Sequence, residues 1–301
     1  MIPMSSVLCP IDFSGSSRGA LRYAGALAGH FGGKITVLAV NDPLLTEAAD
    51  IAGDPAALAK DTIREMERFW REAFAVTREP LAAPRFEVSS GKPAPEILRV
   101  ARESGSDLIV MASHGSTGFR KLFFGSTTER VLRETTVPML VTSGVDPGPT
   151  EFEDIRKIVR RVLVPVDLTG ATARQLAVAR DMAEAFGVPL VMLHVIEPVR
   201  SMAAAQAALS HVEAERRYRV ESALNEAVAV MVPATTSEAL IAYGEPAEEI
   251  AKVAQDREAG LIVMGLHSSP MLGPRMGSVT YRVLCLAHRL ILALPPAPAK
   301  P

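Results

Sequence analysis

Two aspartates and two Gly-Ser pairs are the residues of this chain best suited to holding a small ligand. Asp12 closes the apolar run "VLCPID", and Asp167 closes "VLVPVD". Gly125-Ser126 opens "GSTTERVL", and Gly277-Ser278 opens "GSVTYRVL", both with a helical pattern. An aspartate carboxylate can accept a hydrogen bond from the amino group of a base. A Gly-Ser pair at a helix start presents unpaired backbone N–H groups and the positive end of the helix dipole, which favour an anion such as phosphate. Between these features lie two polar, glycine-containing loops, "MASHGSTGFRKLFFGS" and "MGLHSSPMLGPRMGS".

Each feature also has a plainer explanation. Ser126 and Glu129 form S-x-x-E, the pattern of a capping box, and Glu129 in a first turn opposes an anion. Asp12 can cap the turn that follows it. His114 and His267 have no acid beside them in sequence, and isolated histidines are commonly structural. Ser113 and His114 make no nucleophilic pair, because neighbours on a strand point to opposite faces. What tips the balance toward a site is repetition. "VLCPIDFSGSSRGALRYAGALAGHFGGKITVLAV" matches "VLVPVDLTGATARQLAVARDMAEAFGVPLVMLHV", and "GKPAPEILRVARESGSDLIVMASHG" matches "GEPAEEIAKVAQDREAGLIVMGLHS". Asp12 falls on Asp167, His114 on His267 and Gly125 on Gly277. A period of about 150 residues marks a duplicated domain rather than a solenoid.

The elements that must position these residues alternate between strand and helix. In the first half, Val7–Ile11, Ile35–Val40, Arg85–Ser89, Leu108–Ala112 and the segment from Val137 read as strands. Ser16–Phe31, Pro55–Phe74, Pro95–Glu103 and the stretch from Gly125 read as helices, by their 3.6-residue apolar spacing. This order predicts an α/β fold with a doubly wound parallel sheet in each half. Ligands of such sheets sit beyond the carboxyl ends of the strands, where the strand order reverses. The expected domains are 1–144 and 159–301, with 145–158 as a linker marked by "SGVDPGPTE".

Composition narrows the class. The chain has 301 residues, 48% hydrophobic and 22% charged, with a formal net charge of −2. That balance gives no basis for non-specific attraction to nucleic acid or an anionic membrane. Two cysteines, Cys9 and Cys285, give no disulfide framework and suit a reducing compartment. There is no apolar run of spanning length and no secretory pattern at the start, so the expectation is a cytoplasmic protein.

The quoted motifs, together with "VPMLV" from Val137, resemble the universal stress proteins, here in tandem. The resemblance covers most of both halves and is weakest over 42–84 and 198–236. It implies two tandem five-stranded Rossmann-like domains, paired through their last strands as a pseudo-dimer, and is compatible with a further homodimer. Members that bind ATP carry Gly-x2-Gly-x9-Gly-Ser/Thr after the fourth strand. The first half has Ala112-x2-Gly115-x9-Gly125-Ser126; the second has Gly265-x2-Ser268-x8-Gly277-Ser278, one residue shorter. By similarity, Asp12 and the backbone near Val40 would hold the adenine, Met111 and Ala112 would lie by the ribose, Gly115, Gly125, Ser126 and Thr127 would meet the phosphates, and Pro10 and His114 count as further binding positions. The matching second-half positions are Pro165, Asp167, Val195, Met264, Gly265, Ser268, Gly277, Ser278 and Val279. A methyl at Ala112 would hinder close approach or a positive φ, and Ser268 does the same at its position.

The function implied is regulatory binding of ATP, with Mg²⁺, in a stress response. Two alternatives stand beside it. One is a slow ATPase or nucleotidyl-transfer enzyme, against which "SGSSRG" lacks most of the S-G-G-x-D-S phosphate loop of related enzymes. The other is a tandem scaffold that works through protein contacts alone.

Overall fold

The computed structural model describes residues 4–51, 54–77, 81–113, 125–144, 147–168, 172–198, 215–224, 226, 237–266 and 277–296. The chain divides into two compact units, one built on the first repeat through Ile158 and one beginning at Val159.

The first unit contains β1 (Ser6–Ile11), α1 (Gly15–Phe31), β2 (Lys34–Asn41), α2 (Pro43–Ile51), α3 (Pro55–Ala73), β3 (Arg85–Ser90), α4 (Pro93–Glu103), β4 (Leu108–Ala112), α5 (Ser126–Glu134), β5 (Met139–Thr142) and α6 (Phe152–Ile158). Its strands run in the order β3-β2-β1-β4-β5, and all these neighbours are parallel. The predicted alternation is therefore present. Every residue of β4 is buried, as expected for a continuous apolar strand covered on both faces. Helix α4 starts two residues earlier than its apolar spacing suggests, because Pro93 takes the first helical position, where a missing N–H costs nothing.

The order reverses between β1 and β4. Their ladder has only two rungs, Val7↔Leu108 and Leu8↔Ile109. Beyond Leu8 the two strands part, which opens a crevice at their carboxyl ends. The amino ends are tied instead: Asp107 accepts hydrogen bonds from the Ser5 and Ser6 backbone N–H groups. At the same amino ends, α1 ends on Gly32 at φ 66, and a side chain on Gly33 would meet the Met4 carbonyl oxygen at 2.0 Å. The Gly32-Gly33 pair is required by that turn and that close approach.

Two elements were not legible in the sequence. Helix α2 buries none of its residues; Pro43 opens it, and the Asp42 carboxylate accepts from the Leu44 N–H at 2.8 Å. The segment expected as a linker folds onto α1. The Phe152 ring stacks on His30 with centroids 3.5 Å apart and planes 6° from parallel, and Ile155 is buried. Gly148 lies at φ 74, and any side chain there would strike the Gly19 carbonyl at 2.4 Å. Ser16 Oγ donates to the Gly144 carbonyl and Arg22 to the Pro147 carbonyl.

The second unit holds β6 (Val162–Pro165), α7 (Thr172–Phe186), β7 (Leu190–Ile196), a helix α8 over residues 215–224, β8 (Ser237–Tyr243), α9 (Pro246–Asp256), β9 (Leu261–Gly265) and α10 (Ser278–Leu286). Its strands run β9-β6-β7-β8, again with only two rungs between the strands flanking the reversal, Val162↔Leu261 and Leu163↔Ile262. The fifth strand of the repeat, β10 (Leu290–Leu294), counts with the first unit. It runs antiparallel to β5, with Ile291 opposite Val141 and Ala293 opposite Met139. The last strands of the two repeats thus pair, as the resemblance implied, and β5 is not a bare edge. Among the described residues, no helix is long and apolar enough to cross a membrane.

Candidate functional site

The crevice of the first repeat is a cavity of about 410 Å³, within the usual range for small-molecule sites. The end of β1 contributes Pro10, Ile11 and Asp12, and the end of β2 contributes Ala39, Val40 and Asn41. The end of β4 contributes Met111 and Ala112, and the start of α5 contributes Gly125, Ser126, Thr127 and Thr128. Phe13, Ser17, Pro93 and Ile97 complete the wall. The first-repeat positions Pro10, Asp12, Val40, Met111, Ala112, Gly125, Ser126 and Thr127 are therefore brought together around one space. His114 and Gly115 lie outside the described residues, as do His267 and Ser268.

Asp12 is exposed at the cavity mouth. Its Oδ1 accepts from the Ser14 N–H at 3.1 Å and from Ser14 Oγ at 2.6 Å. The local cap foreseen for this residue is real, and it holds the carboxylate in place at the crevice. Ser14 in turn caps α1, accepting from the Ser17 N–H at 3.1 Å. This tight turn puts Phe13 at φ 60, and Leu168 takes φ 59 at the matching point of the second repeat. A left-handed bulky residue costs on the order of 1–3 kcal/mol. Phe13 offsets part of that by packing edge-on against Phe69 of α3, with ring centroids 5.6 Å apart.

The capping box expected at Ser126 does not form. Gly125 is the N-cap, with φ −62 and ψ 130, and no side chain caps the helix. Glu129 binds Arg133 instead, with contacts of 3.0 and 2.6 Å to its Oε1. The acid is thus engaged by a cation one turn on, which reduces its opposition to an anion at the helix start. Among the described residues, no side chain caps the first turn of α5, which faces the cavity.

Thr128 was missed. It is buried, and its Oγ1 donates to the Ala112 carbonyl at 2.9 Å, fixing the start of α5 to the end of β4. Thr280 does the same for α10 and β9, donating to the Gly265 carbonyl at 3.1 Å. The signal was present in the sequence, since "GSTT" and "GSVT" share this threonine. A second tie closes the loop: the Gly125 N–H donates to the Ser113 carbonyl at 2.8 Å, so residues 113 and 125 are held together. Pro93 and Ile97 carried no signal beyond an apolar helix face.

The concern about Ala112 is half resolved. It lies in β4 and is not among the residues with positive φ, so its methyl imposes no backbone strain. Its methyl still takes space at the cavity wall. Cys9 of β1 is fully buried, and that burial pushes its thiol pKa up; it is inert at neutral pH.

In the second repeat, Pro165 and Asp167 flank the end of β6, Val195 lies in β7, and Met264 and Gly265 end β9. Gly277 is the N-cap of α10, with Ser278 and Val279 in its first turn. Asp167 Oδ1 accepts from Thr172 Oγ1 at 3.2 Å. Among the described residues, no group of three or more His, Cys, Asp or Glu is placed to hold a metal ion.

Comparison with known proteins agrees with this frame. The universal stress protein family matches residues 4–143 and 159–292. The universal stress protein MJ0577 of Methanocaldococcus jannaschii is 41% identical over 51 residues, which is 17% of this chain and 32% of that protein. MJ0531 of the same organism is 28% identical over 140 residues, 45% of this chain and 79% of that one. The crystal structure of a universal stress protein from Archaeoglobus fulgidus superposes with a TM-score of 0.63, at 21% identity, covering 97% of this chain and 98% of that one. With the family matched on both repeats and the fold matched along nearly the whole chain, this protein belongs to the universal stress protein family.

Proposed function

We propose that the crevice of the first repeat binds an adenine nucleotide, ATP, and that the protein is a regulatory stress protein responding to that nucleotide rather than an enzyme. The observation that carries this reading is the convergence of Asp12, Val40 and the uncapped start of α5 on one cavity. Asp12 can accept from the exocyclic amino group of adenine, with apolar walls from Ile11, Ala39 and Ile97 for the ring. Met111 and Ala112 border the space between base and phosphates. Ser126 and Thr127 supply backbone N–H groups and hydroxyls to the phosphates, reinforced by the α5 dipole, while Gly125, whose own N–H is taken by the Ser113 carbonyl, leaves room for them to approach. Mg²⁺ would then be carried mainly by the phosphates and water, as is usual for this ion. No described side chain is assigned a catalytic role.

Two measurements test the reading. Denatured protein should release adenine nucleotide, or calorimetry should show ATP binding to the emptied protein. Gly125→Val should weaken that binding at least tenfold, about 1.4 kcal/mol. Any residue can adopt the backbone angles of Gly125, so the variant should fold. No released nucleotide together with no heat of binding would rule the proposal out in favour of a scaffold.

A further inference from the structure

Ala39 lines the first cavity, and its counterpart in the second repeat is His194. The neighbouring residues keep the same register: Pro10 pairs with Leu38, and Pro165 with Leu193. In the first repeat the ladder continues one rung further, Ile11 with Ala39. In the second it stops at Pro165, and a side chain takes over. The half-buried His194 ring lies with Nδ1 2.8 Å from the Val166 carbonyl, which can only accept, so Nδ1–H donates. Val166 matches Ile11, itself a wall of the first cavity. An imidazole therefore lies across the strand ends at the level where the first repeat leaves a methyl and open space.

A second substitution acts at the floor of the same crevice. Gln175 of α7 stands where α1 has Ala20. It is buried, and its Nε2 donates to the Pro165 carbonyl at 2.6 Å and the Val263 carbonyl at 2.9 Å. This amide bridges β6 and β9 beyond the point where their ladder ends, fixing the gap between them. Ala20 has no group that could do this.

We infer that His194, backed by Gln175, closes the second crevice to a purine, so that the chain takes one nucleotide, in the first repeat. The inference rests on the nucleotide reading above and adds the residue that decides between the repeats. His194 is then a specificity-determining residue whose work is exclusion. The second repeat keeps Asp167 and Gly277-Ser278, so its loss of binding does not follow from those residues.

The test is titration of ATP with Mg²⁺ into the isotope-labelled full chain, followed by amide NMR. One equivalent should saturate, moving Asp12, Val40 and Gly125–Thr128 and leaving Val166, His194 and Gly277 in place. Ala39→His, checked for folding by the same spectrum, should weaken binding at least tenfold. If that variant misfolds, the wild-type shift map still decides. Saturation at two equivalents, shifts at Val166 and Gly277, or a folded Ala39→His that binds like wild type would overturn the inference. No shifts anywhere would instead bring down the nucleotide reading, and the assignment of its single site with it.

Discussion

At the scale of single residues, the first crevice depends on a few short ties. Asp12 is held by Ser14, and α5 is held to β4 by Thr128. Thr128→Val keeps the shape of the side chain but leaves the Ala112 carbonyl without its buried donor. Unfolding by denaturant should show a loss of about 1–2 kcal/mol. An unchanged midpoint would mean that water replaces the hydroxyl at no cost. Asp12→Ala should weaken ATP binding about tenfold by calorimetry while changing stability little, since its described contacts with Ser14 are local and exposed. Asp12 and Gly125-Ser126 were legible because they recur at strand and helix ends in both repeats. The failure of the capping box was not. S-x-x-E describes a possible bond, and whether Glu129 takes it depends on Arg133, one turn away. Ala39 and Ile97 were also hidden, because a small or apolar residue in a core element has the same pattern whether it faces a neighbour or a cavity.

At the scale of elements, strands and helices with strong apolar periodicity were legible, and those without it were not. Helix α2 has no buried stripe to announce it. Helix α6 was masked by the Gly- and Pro-rich segment before it, whose glycine serves close packing against α1 rather than freedom. The α1–α6 contact carries a pH dependence. Burial lowers the His30 pKa from its ordinary value of 6.5, with Glu153 pulling it up and Arg156 pushing it down. A lowered pKa means that the folded state prefers the neutral ring. The associated stability is complete above about pH 6.5 and is lost as the pH falls below it. Thermal unfolding at pH 7.5 and 5.5 should therefore show a larger drop for the wild type than for His30→Phe, which keeps the stacking on Phe152 but cannot be protonated. Equal drops in the two proteins would show that the ring does not sense pH.

At the scale of the whole chain, duplication explains what the sequence revealed and also its limit. Matching the repeats located the strand ends, the family resemblance implied the paired last strands, and the segment expected as a linker turned out to carry α6. Matching did not show that matched positions had come to make different contacts. Ala39 and His194, or Ala20 and Gln175, are unremarkable singly and become informative only when the fold shows which face of the crevice they occupy. Family membership supplies the frame, and the two repeats fill matched positions of it with different side chains. The proposed nucleotide lies between Asp12 and the start of α5. A crystal structure of the protein grown with ATP and Mg²⁺ decides whether it does. Difference density for the base is expected beside Asp12 and Val40, with phosphates at Gly125–Thr127. Nucleotide density elsewhere on the chain, with that cavity filled only by water, would contradict it.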